Sequence, residues 1–163
     1  MQELHPGGMR EKCMPSTHVV LDVHVVFATK RRLPLIDPSW RGRLHAYLGG
    51  AIRGTEAFPR AIGGTENHVH LLLGLRATHR LADVLREIKR SSSQWVVNQL
   101  KIRNFAWQIG YGAFAVSASA IDAVMRYIEN QEAHHRSLKF EDEYLELLRR
   151  SRAEFKEAYL WDD

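Results

Sequence analysis

A chain of 163 residues with 45% apolar residues can fill one packed core but not two ordinary domains. Its single cysteine, Cys13, excludes a disulfide framework and a cysteine-built zinc site; no secretory leader or membrane-spanning apolar run is read, so the expected setting is a reducing cytosol. Residues 1–128 hold 17 Lys and Arg against 9 Asp and Glu, whereas residues 129–163 hold 6 against 10, so a basic body suited to a polyanion such as nucleic acid carries an acidic tail, folded back or solvated.

Residues 1–16, with Pro, Gly and charge, are expected to be a flexible extension. From His18 to Thr29 the run HVVLDVHVVFAT is apolar and β-branched on both alternating faces, the pattern of a central strand covered on each side. Asp37-Pro38 supplies a cap and a first-turn proline for a helix of about 15 residues that Gly54 can stop. Two strands follow over 57–65 and 67–75, with Gly63-Gly64 suited to a bend or bulge at their junction.

A long helix is expected from about Arg80 to Leu100, with Leu81, Val84, Leu85, Ile88, Ser92, Trp95 and Val96 on one side and Arg86, Lys89, Arg90 and Ser93 on the other. Residues 110–117 read as a short strand, and Ser117 or Ser119 can cap the next helix. That helix carries the apolar stripe Ile121, Val124, Met125 and Ile128 and should fray near His135 to Ser137. A last amphipathic helix is expected from about Phe140 to Tyr159. The order strand, helix, strand, strand, helix, strand implies an α+β fold: a ferredoxin-like antiparallel sheet with helices on one face and an added C-terminal helix bearing Tyr127. The main domain is read as 17–150, with 151–163 a helical extension.

Side chains alternate along a strand, so His68 and His70 share a face about 7 Å apart and could converge on one divalent cation; a pair of half-buried strand histidines fits the spacing equally. On a helix, Tyr127, Gln131 and His134 fall in one narrow sector. Either Tyr127 packs at the core edge with Gln131 solvated, or Gln131 offers its carbonyl oxygen to a metal beside the phenol. His134 is the reserve ligand. His24, His45 and His79 read as structural or surface residues, Tyr47, Tyr144 and Tyr159 as helix packing, and Tyr111 as having no amide or acid one turn away. Basic side chains that could meet a phosphate backbone are Lys30, Arg31 and Arg32 and the ridge of Arg86, Lys89 and Arg90. Phe105 and Trp107 suit core packing, or stacking on an unpaired base.

Glu66-Asn-His-Val-His-Leu-Leu-Leu73 resembles the His-hydrophobic-His strand of HUH endonucleases. Tyr127-Ile-Glu-Asn-Gln-Glu-Ala-His-His135 resembles the tyrosine helix of the single-tyrosine HUH transposases of bacterial insertion sequences. Phe27–Arg32 and Phe105–Phe114 are similar to the end of that family's first strand and to its segment before the tyrosine helix, so the resemblance spans roughly 17–150. It implies a transposase that cleaves and rejoins single-stranded DNA at hairpins, Tyr127 attacking to leave a 5′-phosphotyrosine, with His68, His70 and Gln131 holding Mg²⁺ or Mn²⁺. It further implies a homodimer in the bacterial cytoplasm, associated with the nucleoid when bound to DNA, and leaves open whether the tyrosine helix docks in cis or in trans. Asn67 departs from the Asp that many members carry there and would orient or hold less strongly.

A domesticated relative, or a non-catalytic hairpin-binding protein with a vestigial metal site, would share these motifs. A histidine-triad hydrolase would not, since Leu72 stands at the third alternating position. No Gly-Lys-Ser/Thr phosphate loop occurs, in keeping with a phosphodiester exchange that needs no ATP.

Overall fold

Strand β1, Leu21–Ala28, is paired along both edges and covered by helices on both faces, which is why its side chains are buried on each side. The computed structural model describes residues 17–161; the extension expected at 1–16 lies outside the described residues. After β1 the chain forms helix α1 (Pro38–Gly54), strands β2 (Phe58–Gly64) and β3 (His68–Leu75), helix α2 (Leu81–Leu100) and strand β4 (Gly112–Val116). The sheet order is β2-β3-β1-β4, with every neighbouring pair antiparallel. This is the α+β, ferredoxin-like order that the alternation of strands and helices implied. Asp37 caps α1 by accepting from the Ser39 amide at 2.8 Å, with Pro38 in the first turn, as read from the sequence.

Strand alternation divides the molecule into two layers of packing. Val25 and Phe27 of β1 and Val69, Leu71 and Leu73 of β3 point to the face covered by α1 and α2, where they join Leu44, Leu48, Ile52, Val84, Leu85, Ile88 and Val96. The residues between them, His24, Val26 and Ala28 on β1 and His68, His70 and Leu72 on β3, point the other way. Three further helices cover that second face: α3 (Ile121–Glu129), α4 (Gln131–His134) and α5 (Phe140–Arg150). Ile128 of α3 packs on Ala61 and Leu72, while Phe140, Tyr144 and Leu148 of α5 pack on Val26 and Ala28. Phe105 and Trp107 take the packing alternative, buried in the α1/α2 core, where the Trp107 indole N–H donates to Ser92 Oγ at 2.9 Å.

Local chemistry shifts several boundaries. The tyrosine helix breaks at Asn130, whose side-chain amide donates to the Arg126 carbonyl at 2.7 Å, so α3 and α4 are separate pieces. Ser117 and Ser119 bond to each other at 3.2 Å and cap nothing. The last helix stops at Arg150 instead of near Tyr159. Arg152 takes a left-handed φ of 53°, reversing the chain so that Phe155, Leu160 and Trp161 fold back on the α5 cluster. Tyr159 sits in a single 3₁₀ turn, 68% exposed, and does not pack in a helix.

The bulge in β2 lies at Pro59/Ala61, and the glycine pair serves another purpose. Gly64 has φ +151°, and a Cβ there would overlap the His68 carbonyl oxygen. A Cβ on Gly63 would collide with the Ile128 carbonyl oxygen, so this position lets the backbone of α3 lie directly on the sheet. Gly63→Ala is therefore expected to displace α3 and cost about 1–3 kcal/mol, read from the urea midpoint, whereas Gly50→Ala, with nothing near its Cβ, should not destabilise the fold.

Candidate metal and nucleophile site

On the second face of the sheet, His68 and His70 stand two residues apart on β3 and His24 is a diagonal neighbour on β1. All three are at most 4% exposed. Burial and the proximity of His70 hold the His24 imidazolium in check, taking its pKa down to about 3, and burial pushes His68 and His70 below the ordinary histidine range as well. The site is thus built from neutral imidazoles, the form that binds a metal.

Hydrogen bonds set which ring nitrogens carry protons. His68 Nδ1 faces Asn67 Oδ1 at 2.8 Å, an atom that can only accept, so Nδ1 bears the proton and Nε2 keeps its lone pair. His70 Nδ1 shares a 2.9 Å bond with His24 Nε2. In the tautomer in which His70 Nδ1–H donates to His24, His70 Nε2 presents a lone pair, and that buried atom has no hydrogen-bond partner.

The helices bring the remaining groups. Gln131, 1% exposed at the start of α4, donates its amide to Glu143 Oε1 at 3.1 Å, which turns Oε1 towards His68 Nε2 at 3.2 Å. Tyr127 of α3 donates its hydroxyl to Glu143 Oε1, and its ring lies edge-on to those of His70 and His24 at centroid distances of 5.7 and 6.0 Å. Burial, reinforced by the bond to Glu143, raises the phenol pKa above its usual value of about 10. Glu143 of α5 reaches within 3.5 Å of His70 Nε2 and 3.7 Å of His68 Nε2. Burial alone would favour its neutral form, but the bonds from His135 and Tyr127 and the proximity of His70 outweigh that and hold its carboxyl well below the usual carboxylate range.

The lone pairs of two imidazoles, an amide oxygen and a carboxylate therefore converge, a donor set that fits a divalent cation. The ligand atoms of His68, His70, His135 and Glu143 all lie within 4.8 Å of one another.

Of the residues singled out from sequence, His68, His70, Tyr127 and Gln131 meet in one subunit. His24 and Glu143 were missed. His24 was legible as a same-face position on an adjacent strand once pairing was known; Glu143 was legible as an acid inside the apolar stripe Phe140, Tyr144, Leu147, Leu148. His135 approaches Glu143 at 2.6 Å, closer than the reserve ligand His134 at 3.8 Å. Among the basic candidates, Lys30 and Arg31 are exposed in the turn after β1, while Arg32 pairs with Glu141 at 3.0 Å and lies over the Trp161 ring. Arg86, Lys89 and Arg90 line an open groove with Trp107, Ile109 and Tyr111. Arg86 pairs with Asp83 and Arg90 with Glu87, while the Lys89 ammonium donates to the carbonyls of Gln108, Ile109 and Gly110 at 2.6–3.0 Å.

The sequence profile of the family described as "Transposase IS200 like" matches residues 17–131. The chain belongs to this family. Its matched segment contains His68, His70, Tyr127 and Gln131 and ends before His135, Glu143 and α5. Family membership places the protein among DNA-cutting and strand-transferring enzymes. A solved structure from Deinococcus radiodurans R1, described as that of a candidate transposase, superposes with a TM-score of 0.59 at 25% identity, covering 74% of this chain and 97% of that one. A REP-associated tyrosine transposase, solved bound to a REP hairpin, shares the fold with a TM-score of 0.56 at 14% identity over 75% of this chain and 73% of its own. The comparison with curated proteins returned no match. Among the described residues no helix is long and apolar enough to cross a membrane.

Asn67 fixes the His68 tautomer from the side away from the cluster. Asn67→Ala should lower Mn²⁺ affinity about tenfold and Asn67→Asp, a stronger acceptor for the same N–H, should raise it, both measurable by isothermal titration calorimetry.

Proposed function

We propose that the protein cleaves and rejoins single-stranded DNA at hairpins by transesterification, with Tyr127 as nucleophile. The observation that supports this most strongly is that the phenol and the Gln131 amide reach the His68/His70 pair within one subunit. A second phosphodiester chemistry, hydrolysis by a metal-held water, would not need a phenol buried against the imidazoles.

In the proposed reaction a bond forms between the Tyr127 phenolic oxygen and phosphorus while the bond from phosphorus to the 3′ oxygen breaks. The phenol loses its proton and the departing 3′ oxygen takes one up, leaving a 5′-phosphotyrosine and a free 3′-hydroxyl. Attack by the 3′-hydroxyl of a second strand reverses each change, so no external energy source is consumed. The raised phenol pKa keeps Tyr127 protonated at rest, and the bond to Glu143 directs its oxygen into the site until attack.

His68, His70 and Gln131 are proposed to hold Mg²⁺ or Mn²⁺, which supplies a positive charge to polarise the scissile phosphate. The rings are held for that role by Asn67 and His24, and Gln131 by Glu143. A homodimer is the expected assembly, and the seating of α3 on β2 and β3 of its own chain supports cleavage in cis. DNA is proposed to run along the groove of Arg86, Lys89 and Arg90 and past Lys30, Arg31 and Arg32.

Tyr127→Phe should abolish the denaturation-resistant protein–DNA band formed with hairpin oligonucleotides and Mn²⁺ while binding persists in a gel shift; a band that survives overturns the assignment. Replacing Arg86 and Arg90 together by Ala should weaken hairpin binding and lower the slope of log affinity against log salt by about one unit per residue. An unchanged slope would remove that groove from the DNA path.

A further inference from the structure

We propose that Glu143 is itself a ligand of the divalent cation, so that binding the ion fastens α5 across the site. This rests on the metal-assisted reading above and adds to it an anionic ligand from outside the segment that the family profile matches.

The case begins with where the carboxylate lies. A buried carboxylate is unfavourable unless charge and hydrogen bonds compensate it, yet Glu143 is 2% exposed in the middle of an apolar helix face. Its Oε1 lies 3.5 Å from His70 Nε2 and its Oε2 3.7 Å from His68 Nε2. Two ligands each about 2.2 Å from an ion and roughly 90–110° apart are separated by about 3.0–3.6 Å, so both spacings approach those of neighbouring positions in one coordination sphere. His70 Nε2, wholly buried and without a hydrogen-bond partner, is aimed at the same point.

His135 has a different part. Its Nδ1 faces the Leu138 carbonyl at 2.7 Å and its Nε2 faces Glu143 Oε2 at 2.6 Å; both partners only accept, so both ring nitrogens donate. The ring is thus a positioning residue that holds the carboxylate from its outer side and offers no lone pair inward. The two imidazoles and the Gln131 carbonyl are neutral ligands, so the carboxylate alone would lower the net charge of the ion with its ligands from +2 to +1. A carboxylate is also a stronger ligand for a hard cation than the Gln131 amide, which donates to Glu143 and so keeps it in place. Because Glu143 is anchored in the first turn of α5, which packs through Phe140, Tyr144 and Leu148, coordination at this atom couples ion binding to the order of the whole helix.

The opposite arrangement, in which the carboxylate merely fills the space of an absent ion, predicts effects of the opposite sign. Isothermal titration of the full chain with Mn²⁺ should show one site whose affinity falls at least about tenfold in Glu143→Gln and is lost in His68→Ala, with thermal melting of the metal-free variants confirming that they are folded. In the unaltered protein, Mn²⁺ should slow amide hydrogen exchange over 140–150, and it should do so neither in His68→Ala nor in Glu143→Gln. Glu143→Gln binding Mn²⁺ as tightly as or more tightly than the unaltered chain overturns the proposal while leaving the His68/His70 metal reading intact. Exchange over α5 that ignores Mn²⁺ in the unaltered chain overturns it without recourse to any variant. Failure of the unaltered chain to bind Mn²⁺ at all removes the metal reading together with this one.

Discussion

Three buried imidazoles stand together on one face of the sheet, where each ring nitrogen needs a polar partner. Neighbours on and above the sheet meet part of that need. Asn67 takes the outer nitrogen of His68, His24 takes that of His70, and Gln131 and Glu143 arrive from the helices above. The Nδ1 atoms of His68 and His70 are thus bonded, while their Nε2 atoms face the oxygens of Gln131 and Glu143, an arrangement that a cation would complete.

The cover must also come close. Gly63 removes the side chain that would hold α3 away from β2 and β3, and Ile128 closes the apolar part of that contact over Ala61 and Leu72. With the helix backbone on the sheet, Tyr127 lies edge-on to His70 and need not project across a gap. Beyond Asn130 the chain continues in α4, where Gln131 lies over His68 and the following His135 reaches Glu143.

The acidic tail acquires a specific meaning in this arrangement. Glu143, one of the 10 acidic residues beyond position 128, enters the site, and Glu132 pairs with the buried Arg41 of α1 at 2.5 Å. Glu141 pairs with Arg32. The charge asymmetry along the chain is thus partly cancelled in space, as the acidic segment folds back on the basic body.

The sequence by itself determined what periodicity within one element can determine. The two-residue alternation put His68 and His70 on one face, the Asp37-Pro38 pair set the start of α1, and apolar spacing located α2 and the helix of Tyr127. It also carried the motifs by which the family was recognisable. Only the tertiary structure decided which faces meet. His24 lies 46 residues from His70 in the chain and Glu143 12 residues from Gln131, so their contacts depend on strand order and on how closely α3, α4 and α5 settle on the sheet. The helix beyond Arg150 failed for the same reason: local spacing favoured its continuation, but Phe155, Leu160 and Trp161 gain more by turning back onto Phe140 and Tyr144 than by extending into water.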